Sequence, residues 1–392
     1  MKILSVNAGS SSLKFTLFDL PENKELLSGN FEKIGIGNSF YTIKLNGEKI
    51  KREVDLKDHS VAVKYLIQEL IENKIITSLD DLDGVGHRIV HGGPKFTKSI
   101  LITDEFLDEF ESCIEFAPLH NPAHLMGIKA FREELPTTPQ VAVFDTAFHS
   151  TMNETEYLYA VPYEWNEKYG IRKYGFHGTS HRYVNKTISE HLGRNDLKVI
   201  NCHIGNGSSL CAIDAGKVVD TSMGFTPLTG IIMGTRSGDV DPSIIPFVMK
   251  KEGKTCEQVL DDLNKKSGLL GISGVSSDSR DIEDGIANGD TRCQLAQNML
   301  AQRIANYIAM YNNILGGADV ITFTAGLGEN SIMTRENVID RIASLGVKLD
   351  REANDVRGKF TLISTPDSKI PVYIVPTNEE LMIATDTYEI IK

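Results

Sequence analysis

The 392-residue chain carries 53 acidic against 41 basic residues, a formal net charge of −12, with no long basic block. That balance argues against nucleic acid or an anionic membrane as a partner, and no apolar run approaches the ~20 residues that span a bilayer. No secretory leader pattern opens the chain, and Cys113, Cys202, Cys211, Cys256 and Cys293 are dispersed without a C-x-x-C, so the expectation is a cytoplasmic protein with reduced thiols and two or three domains.

In chain order, residues 3–18 read as strand, turn and strand. Apolar runs flank Asn7-Ala8-Gly9-Ser10-Ser11-Ser12, whose backbone N–H groups and hydroxyls can face an anion. Lys14 stands just past the turn as a mobile positive charge. Residues 29–36 and 40–45 read as further strands. The spacing of Val61, Tyr65, Leu66 and Leu70 predicts a helix over 58–73 with Asp58 as its cap. A strand over 84–90 runs into His91-Gly92-Gly93-Pro94. Helices over 104–115 and 122–134 follow, then a buried-type strand over 140–144 that ends on Asp145. In such sheets ligands sit outside the carboxyl ends of the strands.

The second half restarts near Val161. A helix over 181–192 precedes residues 199–213, which again read strand, Gly/Asn/Ser turn, strand. A design repeated after about half the chain points to two related domains, each presenting a phosphate-sized loop. Residues 223–242 form a loop with four Gly and two Pro that also carries apolar residues and Arg236, the pattern of a loop held against something. The longest predicted helix covers 291–315 and stops at Gly316-Gly317. Strands over 320–324 and 372–375 follow. Thr377 and Glu380 stand at capping-box spacing before the last helix.

Three glycine-rich turns, at 7–12, 205–209 and 326–330, each follow a strand. None matches the P-loop or dinucleotide pattern, and one such turn alone would be an ordinary hairpin, but three on two related halves favour a nucleotide cleft. Histidines pair at i, i+4 as His87/His91, His120/His124 and His177/His181, with no H-E-x-x-H. Histidines hydrogen-bonded near an anion site explain them better than zinc. Arg88, Arg236 and Arg280 would ordinarily be surface side chains; in Gly-rich company their forks fit carboxylate or phosphate clamping. Asp145 and Glu379 are the acidic groups placed to hold Mg²⁺, directly or through water.

The strings Val6–Lys14, His87-Arg88-Ile89-Val90-His91-Gly92-Gly93, Phe144–His149, Gly175–His181 and Met233–Asp239 together resemble the acetokinase family, within the sugar kinase, heat-shock and actin-like ATPase fold. The resemblance covers essentially the whole chain. It implies an α/β protein of two duplicated ribonuclease H-like domains around a central cleft. Residues 1–148, joined by the C-terminal helix 380–392, would form the acetate and metal side. Residues 149–379 would form the nucleotide-binding and dimerisation domain. The implied reaction is ATP + acetate ⇌ ADP + acetyl phosphate with Mg²⁺, for which Mn²⁺ can substitute, in a cytoplasmic homodimer.

Site residues carry over from that resemblance position by position. Asn7 and Glu379 match the metal positions. Arg88 matches the acetate-binding arginine and Asp145 the catalytic acid. His177 and Arg236 match the transition-state stabilisers, and His120 a further active-site histidine. Lys14 matches a nucleotide contact, as do the segments His203, Ile204, Gly205, Asn206, Gly207; Asp278, Ser279, Arg280; and Gly326, Leu327, Gly328, Glu329, Asn330. Val90, Leu119, Phe176 and Pro227 match the pocket for the methyl group. Two other readings stand beside this one. One is a propionate- or butyrate-preferring acyl kinase, since a methylene changes pocket binding by only about 1–3 kcal/mol. The other is an actin-like ATPase that transfers nothing.

Overall fold

The computed structural model describes residues 1–392, which divide into two compact units. Unit 1 comprises Met1–Phe148 with Asn378–Lys392, and unit 2 comprises His149–Thr377.

Unit 1 contains β1 (Lys2–Ala8), β2 (Ser12–Asp19), β3 (Lys24–Glu32), β4 (Phe40–Leu45), β5 (Glu48–Glu53), β6 (Gly84–Ile89), β7 (Ile100–Leu101) and β8 (Gln140–Phe144). They form one sheet in the order β5-β4-β3-β2-β1-β6-β8-β7. Strands β1 to β5 pair antiparallel in sequence, and β6 and β8 then add parallel to β1. Every residue of β8 is buried, as expected of a parallel strand covered on both faces. The outer strand β5, Glu-Lys-Ile-Lys-Arg-Glu, is mostly exposed, and such a charged edge discourages further strand pairing. The helix His59–Glu72 begins where Asp58 accepts from the Val61 N–H, satisfying one of the amides that a helix start leaves open. It packs with the helix Asn121–Glu134.

The C-terminal helix Glu379–Ile391 belongs to unit 1 and lies on β1, β6 and β8. Glycine makes that seat. A Cβ at Gly86 would stand 2.3 Å from Thr387 Oγ1 and 2.7 Å from the Ile383 side chain. The bare backbone of β6 therefore lets the helix settle close, which fixes where Glu379 begins it.

Unit 2 contains β9 (Lys198–Ile204), β10 (Ser208–Asp214), β11 (Lys217–Thr221), β12 (Val320–Thr324), β13 (Thr361–Leu362) and β14 (Val372–Ile374), in the order β11-β10-β9-β12-β14-β13. Here too an antiparallel run, β11-β10-β9, is extended by two parallel strands, β12 and β14. The succession β3-β2-β1-β6-β8 in unit 1 and β11-β10-β9-β12-β14 in unit 2 is the same ribonuclease H-like pattern. The expected duplication is present. Thr291–Ile314 is the long helix, capped by Asp290, and its Ala296, Leu300, Ile304 and Ile308 enter the core with Ile200, Cys202 and Phe323. Left-handed Gly316 and Gly317 follow its end. Cys202 and Cys211 are fully buried in strands, as small apolar residues are. No helix is long and apolar enough to cross a membrane.

Three local expectations are corrected. The strand expected at 29–36 is Lys24–Glu32, set by its pairing with β2. The glycine turn expected at 326–330 is a short helix, Ala325–Asn330. The cap of the last helix is Asn378, whose side chain accepts from Leu381 N–H, not a Thr377/Glu380 box. Thr377 Oγ1 lies 2.9 Å from Ser180 Oγ, and the Glu380 carboxylate pairs with Lys14, so both are engaged elsewhere.

Candidate active site

In unit 1 the chemistry gathers where β6 and β8 end. Asp145 follows β8 directly, with its amide bonded to Ile89 O, and only 1% of the residue is exposed. Arg88, on β6, donates to it twice, from Nε at 3.1 Å and from a terminal nitrogen at 2.7 Å. Two parallel N–H···O bonds fix the plane of a guanidinium as well as its place. Burial works against the charge on Arg88, but Asp145, Glu379 and Glu380 outweigh it and hold the group protonated.

Glu379 shares this field. Burial pushes its carboxyl above the ordinary range and Glu380 adds to the rise, while Arg88 and Lys14 pull it down. Lys14 itself is ion-paired with Glu380, and stands opposite Asn7 in the β1–β2 register. No group of three His, Cys, Asp or Glu side chains is assembled for a metal. Mg²⁺ does not need one, because it keeps waters and substrate phosphates and takes one or two protein oxygens. An amide oxygen at Asn7 and a carboxylate at Glu379, poorly solvated and beside a like charge, fit that donor set. His120 is half-buried at the start of the helix Asn121–Glu134. Val90 is 7% exposed, whereas Leu119 is 73% exposed.

Of the other histidines of the i, i+4 pairs in unit 1, His87 and His124 are buried, and burial works against a charge on either. Burial pushes His87 down to about 4, against a hydrogen bond to Gln140. It pushes His124 down to about 3, with Arg88, His120 and His87 adding to the effect.

In unit 2 His177 stands at the N-cap of the helix Gly178–Leu192 in a left-handed conformation, φ 57°, uncommon for a residue with a side chain. Gly175, two residues earlier, also has positive φ, and a Cβ there would meet Thr221 at 2.4 Å and His149 at 2.8 Å. The turn that delivers His177 thus depends on a glycine. The His177 ring stacks on His203 with centroids 4.1 Å apart. Arg236 donates to Pro227 O at 3.2 Å, and burial lowers its pKa. A Cβ at Gly207 would lie 3.4 Å from Arg236 Nη1 and 3.5 Å from His177 Nε2, so both side chains approach the turn of the second hairpin. Phe176 is 2% exposed and Pro227 half-buried. The long loop is indeed held: Gly230 and Asp239 bond through backbone and side chain, Ser237 N–H reaches Leu263 O, and Gly234 N–H reaches Asn206 O.

A cavity of about 460 Å³ in unit 2 unites the predicted nucleotide segments. Asn206, Asp278, Ser279, Arg280, Gly326, Leu327 and Asn330 line it. Other residues of those segments serve the frame. Ile204 is fully buried. Glu329 turns inward to accept from Ala325 and Thr377 N–H, and Gly328 O accepts from Arg335. Arg280 is clamped to Asp278 at 2.6 Å. Sequence reasoning missed Ser277, Glu283, Ser331 and Arg357 in the lining. It also missed Arg335, fully buried and bonded to Gly328 O, Asn354 Oδ1 and O, and Val356 O. A lone Arg on a polar helix carries no signal that separates it from a surface side chain.

Two ribonuclease H-like units, one with a fixed arginine fork and one with a polar cavity, define an enzyme of the actin-like ATPase fold that transfers phosphoryl groups. Residues 2–385 match the acetokinase family. An acetate kinase from Anoxybacillus flavithermus is 55% identical over 387 residues, covering 98% of both chains. The crystal structure of Porphyromonas gingivalis acetate kinase superposes with a TM-score of 0.95 at 48% identity over the whole of both chains. A propionate kinase from Francisella tularensis superposes at 0.94 with 41% identity, covering 99% of each. The chain belongs to the acetokinase family.

Proposed function

We propose that this enzyme transfers the γ-phosphoryl group of ATP to acetate, reversibly, giving ADP and acetyl phosphate by direct in-line displacement. The carrying observation is the fixed, half-buried guanidinium of Arg88 in a chain that belongs to the acetokinase family along nearly its whole length.

Acetate is ionised at neutral pH, since carboxyl pKa values lie near 4. It needs no base to become a nucleophile. The difficulty is bringing one anion to another. Arg88 neutralises and orients the carboxylate, and Asp145 holds Arg88 rather than removing a proton. Val90, Leu119, Phe176 and Pro227 receive the methyl group. Arg236 and His177 hold the equatorial oxygens as charge redistributes. The cavity lined by Asn206, Asp278–Arg280, Gly326, Leu327 and Asn330 takes the nucleoside, and Lys14 the phosphates. Asn7 and Glu379 would hold Mg²⁺, which when bound neutralises phosphate charge and orients the phosphates. His120 adds a polar group to the acid side. Two copies pair through unit 2, whose Tyr163, Tyr169 and Phe247 are more than 60% exposed; sedimentation checks that pairing.

A hydroxylamine trap for acyl phosphate, run with Mg-ATP and acetate, propionate or butyrate, tests the reading. Hydroxamate forms with acetate at the highest kcat/KM. A preference for a longer acid would redefine the substrate, and ADP without hydroxamate from any acid would favour an ATPase that transfers nothing.

A further inference from the structure

One hydroxyl stands between two imidazoles in unit 2. Ser209 Oγ lies 2.9 Å from His177 Nδ1 and 2.8 Å from His181 Nε2. Ser209 and His181 are fully buried. A hydroxyl has one proton to give. It donates to one ring and accepts from the other, so the two histidines cannot choose their tautomers independently.

The far side of His181 sets the direction. Its Nδ1 lies 2.8 Å from the Asn201 amide nitrogen, which donates only. The Asn201 amide oxygen accepts from Thr322 Oγ1 at 2.8 Å, and Thr322 is the register partner of Asn201 across β9 and β12. Proton order then follows along the chain. Asn201 donates to His181 Nδ1, His181 Nε2–H donates to Ser209, and Ser209 donates to His177 Nδ1. The proton of a neutral His177 is thereby assigned to Nε2, the nitrogen that, like Arg236 Nη1, approaches Gly207. Burial, with His149 and His203 adding, holds His181 well below the ordinary imidazole range, so its two nitrogens keep opposite roles.

We propose that Thr322, Asn201, His181 and Ser209 are positioning residues that lock His177 in its Nε2–H tautomer, so that it offers phosphoryl oxygens a donor and not a lone pair. The proposal rests on the reading of His177 as a group that touches the transferring phosphoryl. A neutral imidazole in the other tautomer would aim a lone pair at an anionic oxygen. The buried chain removes that state without requiring His177 to be charged.

Nitrogen-15 NMR of histidine-labelled protein reads which ring nitrogen carries the proton, with His177 assigned by a His177→Gln variant. Wild type should show Nε2–H on both His177 and His181. Asn201→Asp replaces the donor by an acceptor of the same shape and should reverse the order, moving both protons to Nδ1. Ser209→Ala should break the coupling, and Ser209→Thr, which keeps the hydroxyl, should restore it. In the hydroxamate assay Asn201→Asp and Ser209→Ala should lose about tenfold to a hundredfold in kcat, with both KM values within about twofold of wild type. A proton on Nδ1 of wild-type His177, or wild-type kcat in Ser209→Ala, overturns the proposal. If Asn201→Asp does not fold, the Ser209 variants decide alone. If wild type makes no acyl phosphate, the functional reading fails, while the NMR still decides the proton order.

Discussion

Arg88 grips Asp145 through two parallel hydrogen bonds, 3.1 Å from Nε and 2.7 Å from a terminal nitrogen, across the ends of neighbouring parallel strands. On the proposed reading the aspartate orients the arginine. Asp145→Asn keeps the shape but removes the charge that assists both bonds. The expected loss is about 2 kcal/mol, or about thirtyfold in kcat/KM for the acid. An orienting role leaves the shape of the pH–rate profile unchanged. Loss of a single limb with metal affinity intact would make Asp145 a base.

As the proposed metal ligand, Glu379 would tie activity to pH. Its carboxyl is raised first by burial and then by Glu380, and only the ionised form is a metal ligand. Metal-dependent activity should therefore fall, on acidification, at a higher pH than an ordinary carboxylate near 4.3 would give. The sign for stability follows. A carboxyl raised on folding binds more protons folded than unfolded, so its ionisation costs nothing below the unfolded pKa and destabilises progressively as pH rises through the folded value. Metal-free Glu379→Gln should melt above wild type at neutral pH, the difference vanishing below about pH 4, while magnesium affinity drops. Thermal melts across pH with and without magnesium check both halves.

Arg335 fixes one wall of the unit 2 cavity from beneath. Its contacts reach Gly328 O, Asn354 and Val356 O, next to the lining residues Leu327 and Arg357. Arg335→Met removes the donors to Gly328 O, Asn354 Oδ1 and Val356 O and should cost about 3 kcal/mol in denaturant unfolding. ADP affinity measured by calorimetry should weaken while the acid KM holds. Arg335→Lys should rescue little, because an ammonium cannot span acceptors that a planar fork reaches.

Local chemistry decided what could be read from residue order. Both hairpins were legible because Asn, Gly and Ser punctuate β-branched runs, and the helix from His59 because Asp58 precedes its apolar spacing. The Arg236 loop was legible as a held loop because its Gly and Pro come with buried Ile231, Ile232 and Met233. The cap of the last helix was not. Thr377 and Asn378 are both good caps, and the choice fell to Asn378 with Thr377 Oγ1 placed against Ser180, a partner 197 residues away. Arg335 was invisible for the same reason: its carbonyl acceptors converge only in the fold. The division of labour within residues 326–330 was also hidden, since Gly326 and Asn330 face a cavity while Glu329 folds back onto the chain. Ser209 lay in plain view as one of paired serines, yet only the fold places it between His177 and His181, with Asn201 on the far side of His181.

The most direct test of Arg88 as the carboxylate clamp is Arg88→Ala, followed by acetate titration in the hydroxamate assay and ADP binding by calorimetry. The variant also removes Arg88 from the buried Asp145 carboxylate, a cost of about 3 kcal/mol, so folding is confirmed first by its melting curve. In the folded variant kcat/KM for acetate should fall at least about a hundredfold, with ADP affinity unchanged within about twofold. Equal loss of acetate use and ADP binding, or wild-type acetate kinetics, would contradict the assignment.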